Sequence, residues 1–268
     1  VTLSDLAATY DVLGTAATAT TDPAGLTVGL VYSQSDTVVA SPTDAGTYSI
    51  VASVNEDNYK GFQTGDLVIS KKALTATADA KTKVYGSANP AATITYSGFE
   101  NSEDATALDT APAATIGADA TSGVGDYDIT LSAGTDNNYE VTTTNGKLAV
   151  TKAVVAVTAD DAAKIYGAAV AAIGFTSTGY VNGDDVDDID TKPTVSTAAT
   201  ASSDVGTYAL TAAGGADDNY SFTYTDGVLT ITKITATIAL SDNTVDYDGK
   251  SHGVTVTTTP AGLEGSVT

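Results

Sequence analysis

Short phrases recur along this chain at one spacing, and that recurrence restricts the fold more than any single residue does. Tyr85-Gly86 returns as Tyr166-Gly167, and an offset of 81 residues separates 85 from 166. Pro112 and Pro193, Gly125-x-Tyr127 and Gly206-x-Tyr208, Asn138-Tyr139 and Asn219-Tyr220, and Lys152 and Lys233 keep the same offset. A sequence of this type folds as an array of similar modules, and arrays are selected for length and multiplicity more than for chemistry. Two kinds of module are present. Type B occupies residues 72–151 and again 152–232. Type A occupies 1–71; it shares the second half of type B through Gly46-x-Tyr48, Asn58-Tyr59 and Lys71, and differs in its first half. That first half returns within 233–268. Leu3-Ser4-Asp5 reappears as Leu240-Ser241-Asp242 and Pro23-Ala24-Gly25-Leu26 as Pro260-Ala261-Gly262-Leu263, with 237 residues separating 3 from 240. The order A-B-B, then the opening of another A, predicts a window on a longer array.

The modules read as mostly β. Ala73–Ala78 and Ala153–Thr158 alternate small, Thr and branched residues, which predicts half-buried strands. Leu74, Ala76 and Ala78 face inward in the first, and Val155, Val157 and Ala159 in the second. The closing strands alternate as well, with Leu67 and Ile69, Leu148 and Val150, and Leu229 and Ile231 inward. Asn145-Gly146 and Asp226-Gly227 are hairpin-turn signals. One short helix per type B module is expected, at 101–108 and 182–189, where acidic residues suit a helix N-terminus. Lys71, Lys152 and Lys233 each close a module, and the next strand begins at once. With no Gly/Ser or Pro-rich linker, the joints are expected to be stiff. The inward parity slips across the first joint, from odd at Leu67 and Ile69 to even at Leu74 and Ala76, which changes the buried side of the chain. The fold class is therefore a mostly β tandem array of small domains, β-grasp-like or sandwich-like, with a short helix in the two type B modules.

Composition removes several functions. The formal net charge is −22, with only 11 basic residues. No basic patch exists to exchange for phosphate counterions, so nucleic acid is excluded as a partner. Anionic lipid is disfavoured for the same reason, and no apolar run is long enough to insert in a membrane. What remains is solubility with mutual repulsion, divalent cation binding, or life in salty water. Cys is absent and His252 is the single histidine, so neither a catalytic triad nor a zinc site can be assembled. No phosphate-binding glycine motif stands between a strand and a helix. The chain reads as no enzyme, with no catalytic residues and no organic cofactor.

Calcium is the one candidate cofactor. Asp184, Asp185, Asp187, Asp188 and Asp190 fall within one short segment, and hard cations take clustered oxygens. The spacing lacks the glycine and terminal glutamate of an EF-hand. Asp136, Asp217 and Asp218 beside the Asn-Tyr turns are a second candidate set. A solvated acidic loop is the competing reading of both.

Tyrosine outnumbers phenylalanine, 14 to 4. Tyr48, Tyr127 and Tyr208 each follow a Gly by two residues, and Tyr59, Tyr139 and Tyr220 each follow an Asn in a tight or left-handed turn. Recurrence at equivalent places in every module favours core aromatics whose hydroxyls bond the backbone at the rim over stacking platforms for sugars. Phe62, Phe175, Tyr180 and Tyr224 are the aromatics nearest to a sugar-binding surface.

The string Lys83-Val-Tyr-Gly-Ser-Ala-Asn-Pro90, followed by Tyr96-Ser-Gly-Phe99, Gly125-Asp-Tyr127, Asn138-Tyr139 and Gly146-Lys-Leu-Ala-Val-Thr-Lys152, resembles the MBG domain of the YGX type. The next module matches through Lys164-Ile-Tyr-Gly167, Gly206-Thr-Tyr208 and Gly227-Val-Leu-Thr-Ile-Thr-Lys233. Tyr85, Gly86, Tyr127 and Tyr139, with Tyr166, Gly167, Tyr208 and Tyr220, form the structural signature. The type A segments are similar to the Ig-like or MBG repeats found beside such domains. The resemblance implies a stalk or fibre segment of a large bacterial surface adhesin, similar to the filamentous-haemagglutinin type, on the cell surface or in a secreted fibre. Its expected partners are neighbouring repeats of the same chain, other copies in a fibre, or surface glycans. A rigid spacer, an adhesive module acting by avidity, and a filament bridged by cations all fit this reading.

Overall fold

The structure, a computed structural model, describes residues 1–241 and 244–263. Asp242 of the repeated Leu-Ser-Asp phrase lies outside them. The chain divides into two compact units, Val1–Lys152 and Ala153–Thr268.

The first unit begins with strands β1 (Thr2–Ser4), β2 (Ala7–Thr9), β3 (Thr18–Thr20), β4 (Gly29–Gln34), β5 (Thr37–Val39), β6 (Gly46–Glu56) and β7 (Tyr59–Ser70). β1 pairs with β3, and the rest form one sheet in the order β2-β7-β6-β4-β5. The long β6–β7 hairpin turns at Asp57-Asn58 and pairs Glu56 with Tyr59. Alternation decides its faces. Tyr48, Ile50, Ala52, Leu67 and Ile69 are buried, while Val51 and Val68 lie on the exposed face.

Seven strands follow in the same unit: β8 (Lys72–Ala78), β9 (Lys81–Val84), β10 (Ile94–Ser97), β11 (Ala114–Ile116), β12 (Gly125–Leu131), β13 (Tyr139–Thr144) and β14 (Gly146–Thr151). They form two sheets, β10-β8-β13 and β11-β12-β14-β9, with β13 parallel to β8 and β14 parallel to β9. Leu74, Ala76 and Ala78 of one sheet and Ile129, Leu148 and Val150 of the other are buried between them. This is the sandwich-like alternative, and the inward residues are those the alternation indicates. The parity slip between Ile69 and Leu74 is present too, yet both residues belong to one continuous apolar cluster with Tyr10 and Tyr139.

The second unit repeats the plan with β15 (Ala153–Ala159), β16 (Ala162–Ile165), β17 (Phe175–Thr178), β18 (Thr194–Ser196), β19 (Gly206–Ala213), β20 (Tyr220–Thr225) and β21 (Gly227–Thr232). Its sheets are β17-β15-β20 and β16-β21-β19-β18. The strands β22 (Thr237–Ser241) and β23 (Thr255–Thr259) then pair Leu240 with Val256, as β1 and β3 pair Leu3 with Ala19.

Two expectations are corrected. Residues 101–108 and 182–189 form no α-helix; each contains a single 3-10 turn, Ala105–Ala107 and Val186–Asp188. Asp104 and Asp185 cap these turns with their carboxylates. The run is too short and too rich in cap-forming Asp to propagate a helix. Asn145-Gly146 and Asp226-Gly227 are not hairpin turns either. The strands on either side of each belong to different sheets, so the chain crosses between the layers there. A Cβ on Gly146 would meet the Ala78 carbonyl oxygen at 2.4 Å, and one on Gly227 the Ala159 oxygen at 2.6 Å. Close backbone approach, not a turn type, requires these glycines.

Candidate functional site at the joint within the first unit

The Tyr10 N–H donates to the Ser70 carbonyl, which places the side chain at the end of the type A module beside the closing Lys71. From there it enters the type B module that follows. Its ring meets Tyr139 edge to face, with centroids 5.3 Å apart and planes at 80°. Tyr139 in turn meets Phe99 edge to face at 5.3 Å, and Phe99 contacts Tyr96 at 5.4 Å. Edge-to-face pairs of this kind add about 0.5–1.5 kcal/mol beyond the area they bury.

One carboxylate serves both tyrosines. The Tyr10 hydroxyl donates to Glu103 Oε1 at 3.2 Å and the Tyr139 hydroxyl to Glu103 Oε2. Tyr139 also accepts the Glu100 N–H at 3.0 Å. Burial above all, then the charge of Glu103, pushes the Tyr10 hydroxyl up to about 12. Burial, followed by the hydrogen bond to Glu103, raises Tyr139 well above the ordinary tyrosine range.

A polar clasp surrounds this apolar centre. Asn138 Oδ1 accepts the Ala45 N–H at 2.8 Å, and Asn138 Nδ2 donates to Asp44 Oδ1 at 3.2 Å. Lys71 Nζ donates to the Asp136 carbonyl at 2.7 Å, and Asn101 Nδ2 to the Asp11 carbonyl at 3.3 Å. The Asn-Tyr turn that presents these groups is held by Asp136, whose Oδ1 accepts the N–H groups of Asn138 and Tyr139 at 2.7 and 2.8 Å. Asn138 has no positive φ. The aspartate turn does the work expected of a left-handed asparagine.

The other signature tyrosines are structural. Tyr48, Tyr127 and Tyr208 donate to the carbonyls of Asp44, Gly123 and Asp204 at 2.9, 2.9 and 3.0 Å, a rim bond repeated in every module. Tyr85 is buried at the end of β9, its N–H bonded to Thr151 O, with Gly86 in the left-handed conformation beside it. Tyr166 and Gly167 repeat that geometry, except that Tyr166 is exposed. In the second unit, Tyr220 is buried, packs edge to face with Tyr180 at 5.7 Å and donates to Asp184 Oδ2 at 2.7 Å. Tyr59 departs from its counterparts, because the β6–β7 turn leaves it exposed. Of the remaining aromatics, Phe62 is 75% exposed, Tyr224 is exposed, and Phe175 is half-buried.

The acidic run does not converge. Asp184 accepts from Tyr220, Asp185 caps the 3-10 turn through the Asp187 N–H, and Asp188 accepts the Asp185 N–H. Asp187 pairs with Lys192 at 2.5 Å, which holds its carboxyl below the usual range, and the Asp190 N–H points at Asp217. A polar cleft of about 380 Å³ is bordered by Asp44, Asp109 and Asp136, but Asp136 is occupied by its turn. Among the described residues, no group of three or more His, Asp or Glu side chains is placed to hold a metal ion.

Sequence reasoning missed Tyr10 and Glu103. Tyr10 recurs in sequence only as Tyr247 of the next type A segment, but it directly follows a strand that runs parallel to the module's closing strand, as Tyr85 and Tyr166 do. Aligning the first halves of the two module types on that strand is the signal that finds it.

Comparison with known proteins accounts for nearly the whole chain. The sequence profile of the MBG domain matches residues 1–73 and 236–268, and that of the MBG domain of YGX type matches 74–149 and 155–230. No curated protein matches the chain. Among solved structures, a crystal structure of Drosophila N-cadherin EC1-3 is similar at 9% identity and a TM-score of 0.23, covering 72% of this chain and 78% of that one. No helix among the described residues is long and apolar enough to cross a membrane.

Proposed function

The chain belongs to the MBG domain family, in tandem modules of two types, and on that premise we propose that it is a non-catalytic spacer of an extracellular bacterial surface protein. The joint carries this reading. A flexible connection needs no aromatic from one module inside the next, whereas here Tyr10 is buried against Tyr139 and Glu103 with no linker between Lys71 and Lys72. Interfaces within a chain leave modules free to move unless they are well packed; this one combines an apolar centre with a clasp of five hydrogen bonds on its rim and centre. Rigid joints hold a distal group at a distance, and the acidity keeps neighbouring chains apart.

Small-angle scattering tests the spacer. Strands of about eight residues at about 3.3 Å each give roughly 30 Å per module, so three in line reach on the order of 100 Å. A rod profile is the expected result, and a compact globular profile overturns the reading. An adhesive role has one observation in its favour, the exposed Phe62 ring on β7. A glycan array probed with wild type and Phe62→Ala decides it, since an adhesive module loses its signal in the variant.

A further inference from the structure

The sequence has 33 acidic residues, and in the described strands these are Glu56, Asp66, Asp126, Asp128 and Glu140 alone. The outer faces of the sheets are therefore almost uncharged, although the chain is strongly acidic. One of these faces is also apolar. On the sheet β2-β7-β6-β4-β5, Val31, Val38, Val51, Phe62 and Val68 project from the side opposite Tyr48, Leu67 and Ile69. Phe62 is 75% and Val38 70% exposed. The other outward positions of β4, β6 and β7 are Gly, Ser, Thr and Asn, apart from one cation, Lys60, and one anion, Asp66.

The openness of this face belongs to the module itself. Phe62 and Asp66 correspond to Thr142 and Lys147 in the following module, which has a neighbour on each side, and there both positions are exposed as well. Five strands about 4.8 Å apart, the longest about 30 Å, offer on the order of 600 Å², the lower end of what each partner buries in a stable interface. The pattern along β7 is self-complementary. Lys60 and Asp66 stand at equal distances on either side of Gln63, and so do Phe62 and Thr64. The register carries that centre across the sheet, since Gln63 pairs with Ala52 and Ala52 with Leu30. About this line Val51 mirrors Ser53, and Val31 mirrors Gly29.

We propose that two copies of this chain pair face to face through this sheet, about a two-fold axis that lies between the sheets and crosses β7 at Gln63, β6 at Ala52 and β4 at Leu30. The strands of the two copies then run antiparallel, and Lys60 meets the partner's Asp66 in a contact that occurs twice. Each large side chain meets a small one: Phe62 faces the partner's Thr64, Val51 the partner's Ser53 and Val31 the partner's Gly29. Sheets packed face to face lie about 10 Å apart and interdigitate in this way. The Ser49 hydroxyl donates to Asp66 Oδ1 at 3.2 Å and holds the carboxylate on the face. A second copy fits better than a basic or an acidic partner, because the face presents one charge of each sign in mirrored places. The acidic turns at Asp36 and Asp57 lie at strand ends, outside the contact, and at physiological salt the remaining repulsion is screened beyond about 8 Å. The contact is isologous and closes at the dimer. It goes beyond the spacer reading, and either can fail without the other.

Analytical ultracentrifugation of the full chain at physiological salt, from about 10 µM to about 1 mM, tests the pairing. Wild type is expected to rise from monomer to dimer and to level off there. Phe62→Ala stays monomeric across the range, whereas Thr142→Ala, at the counterpart position, dimerises like wild type. Lys60→Glu and Asp66→Lys each weaken dimerisation at least about tenfold, because each brings like charges together twice. An equimolar mixture of these two variants recovers wild-type dimerisation, since both contacts of the mixed pair are again of opposite sign. All four positions are exposed, so every variant is expected to keep the wild-type melting temperature. Wild type that stays monomeric to the top of the range overturns the proposal, and loss of glycan signal in Phe62→Ala would then assign the face to a sugar. Growth beyond the dimer, dimerisation that survives Phe62→Ala, or a mixture that fails to recover overturns it too.

Discussion

Tyr10 and Tyr139 lie edge to face at 5.3 Å and share the carboxylate of Glu103, although Tyr10 is 93 residues from Glu103 in the chain. Tyr10 is buried, and it packs on Tyr139 across the boundary between the two modules. The joint is thus part of the core of the first unit, and its energetics are those of core packing.

That makes the joint measurable by an internal control. Tyr10→Ala removes a buried aromatic and is expected to cost about 3 kcal/mol or more, read from urea unfolding of the full chain. Tyr166→Ala, at the equivalent but exposed position, is expected to cost less than about 0.5 kcal/mol. Equal effects would place the joint outside the core.

The raised tyrosines predict an alkaline limit. A hydroxyl with a folded-state pKa above its unfolded value near 10 keeps its proton in the folded chain while the unfolded chain has lost it. Folding then binds protons, and stability falls as pH rises from about 10 through about 12, the value to which Tyr10 is pushed up. Tyr139 acts in the same direction. Melting temperatures measured upward from pH 9 are expected to drop across this window. Glu103→Gln lessens the drop without removing it, because burial is the larger cause. A flat profile above pH 10 contradicts the assignment.

Gly146→Ala and Gly227→Ala place a Cβ against a backbone carbonyl that cannot swing away. Each is expected to destabilise its module by more than about 2 kcal/mol. Gly61→Ala, where a Cβ meets open space, serves as the comparison and is expected to be near neutral. Thermal unfolding of the three variants checks the order.

Asp136→Ala leaves the N–H groups of Asn138 and Tyr139 without their acceptor. A lost cap of this type costs about 1–2 kcal/mol. Asp217→Ala removes the same bonds to Asn219 and Tyr220 and is expected to match it. Hydrogen exchange at the four amides reads the effect locally, and unchanged protection would mean the turn is held by its packing.

Much of the module was legible without coordinates. Leu74, Ala76 and Ala78 face inward because a strand alternates with period two, whatever it packs against. Tyr48, Tyr127 and Tyr208 read correctly as rim-bonded aromatics, because the Gly-x-Tyr phrase places ring and carbonyl within one turn of chain. The failures have a common cause. The Asn145-Gly146 phrase is the same whether the chain turns back within a sheet or crosses to the other one, and only the position of Ala78 on the partner layer separates the two. The runs 101–108 and 182–189 carry the same acidic residues whether a helix or a single turn follows, and only the bonds that Asp104 and Asp185 make to the 3-10 backbone separate the two.

The sequence by itself therefore determined the repeat, the inward faces of the strands and the absence of a linker between Lys71 and Lys72, since all of these follow from local periodicity and repetition. Tertiary structure alone decided the joint. Whether Tyr10 finds Tyr139 and Glu103 depends on which end of one module meets which end of the next. That is a matter of long-range packing, and no pattern within one module encodes it.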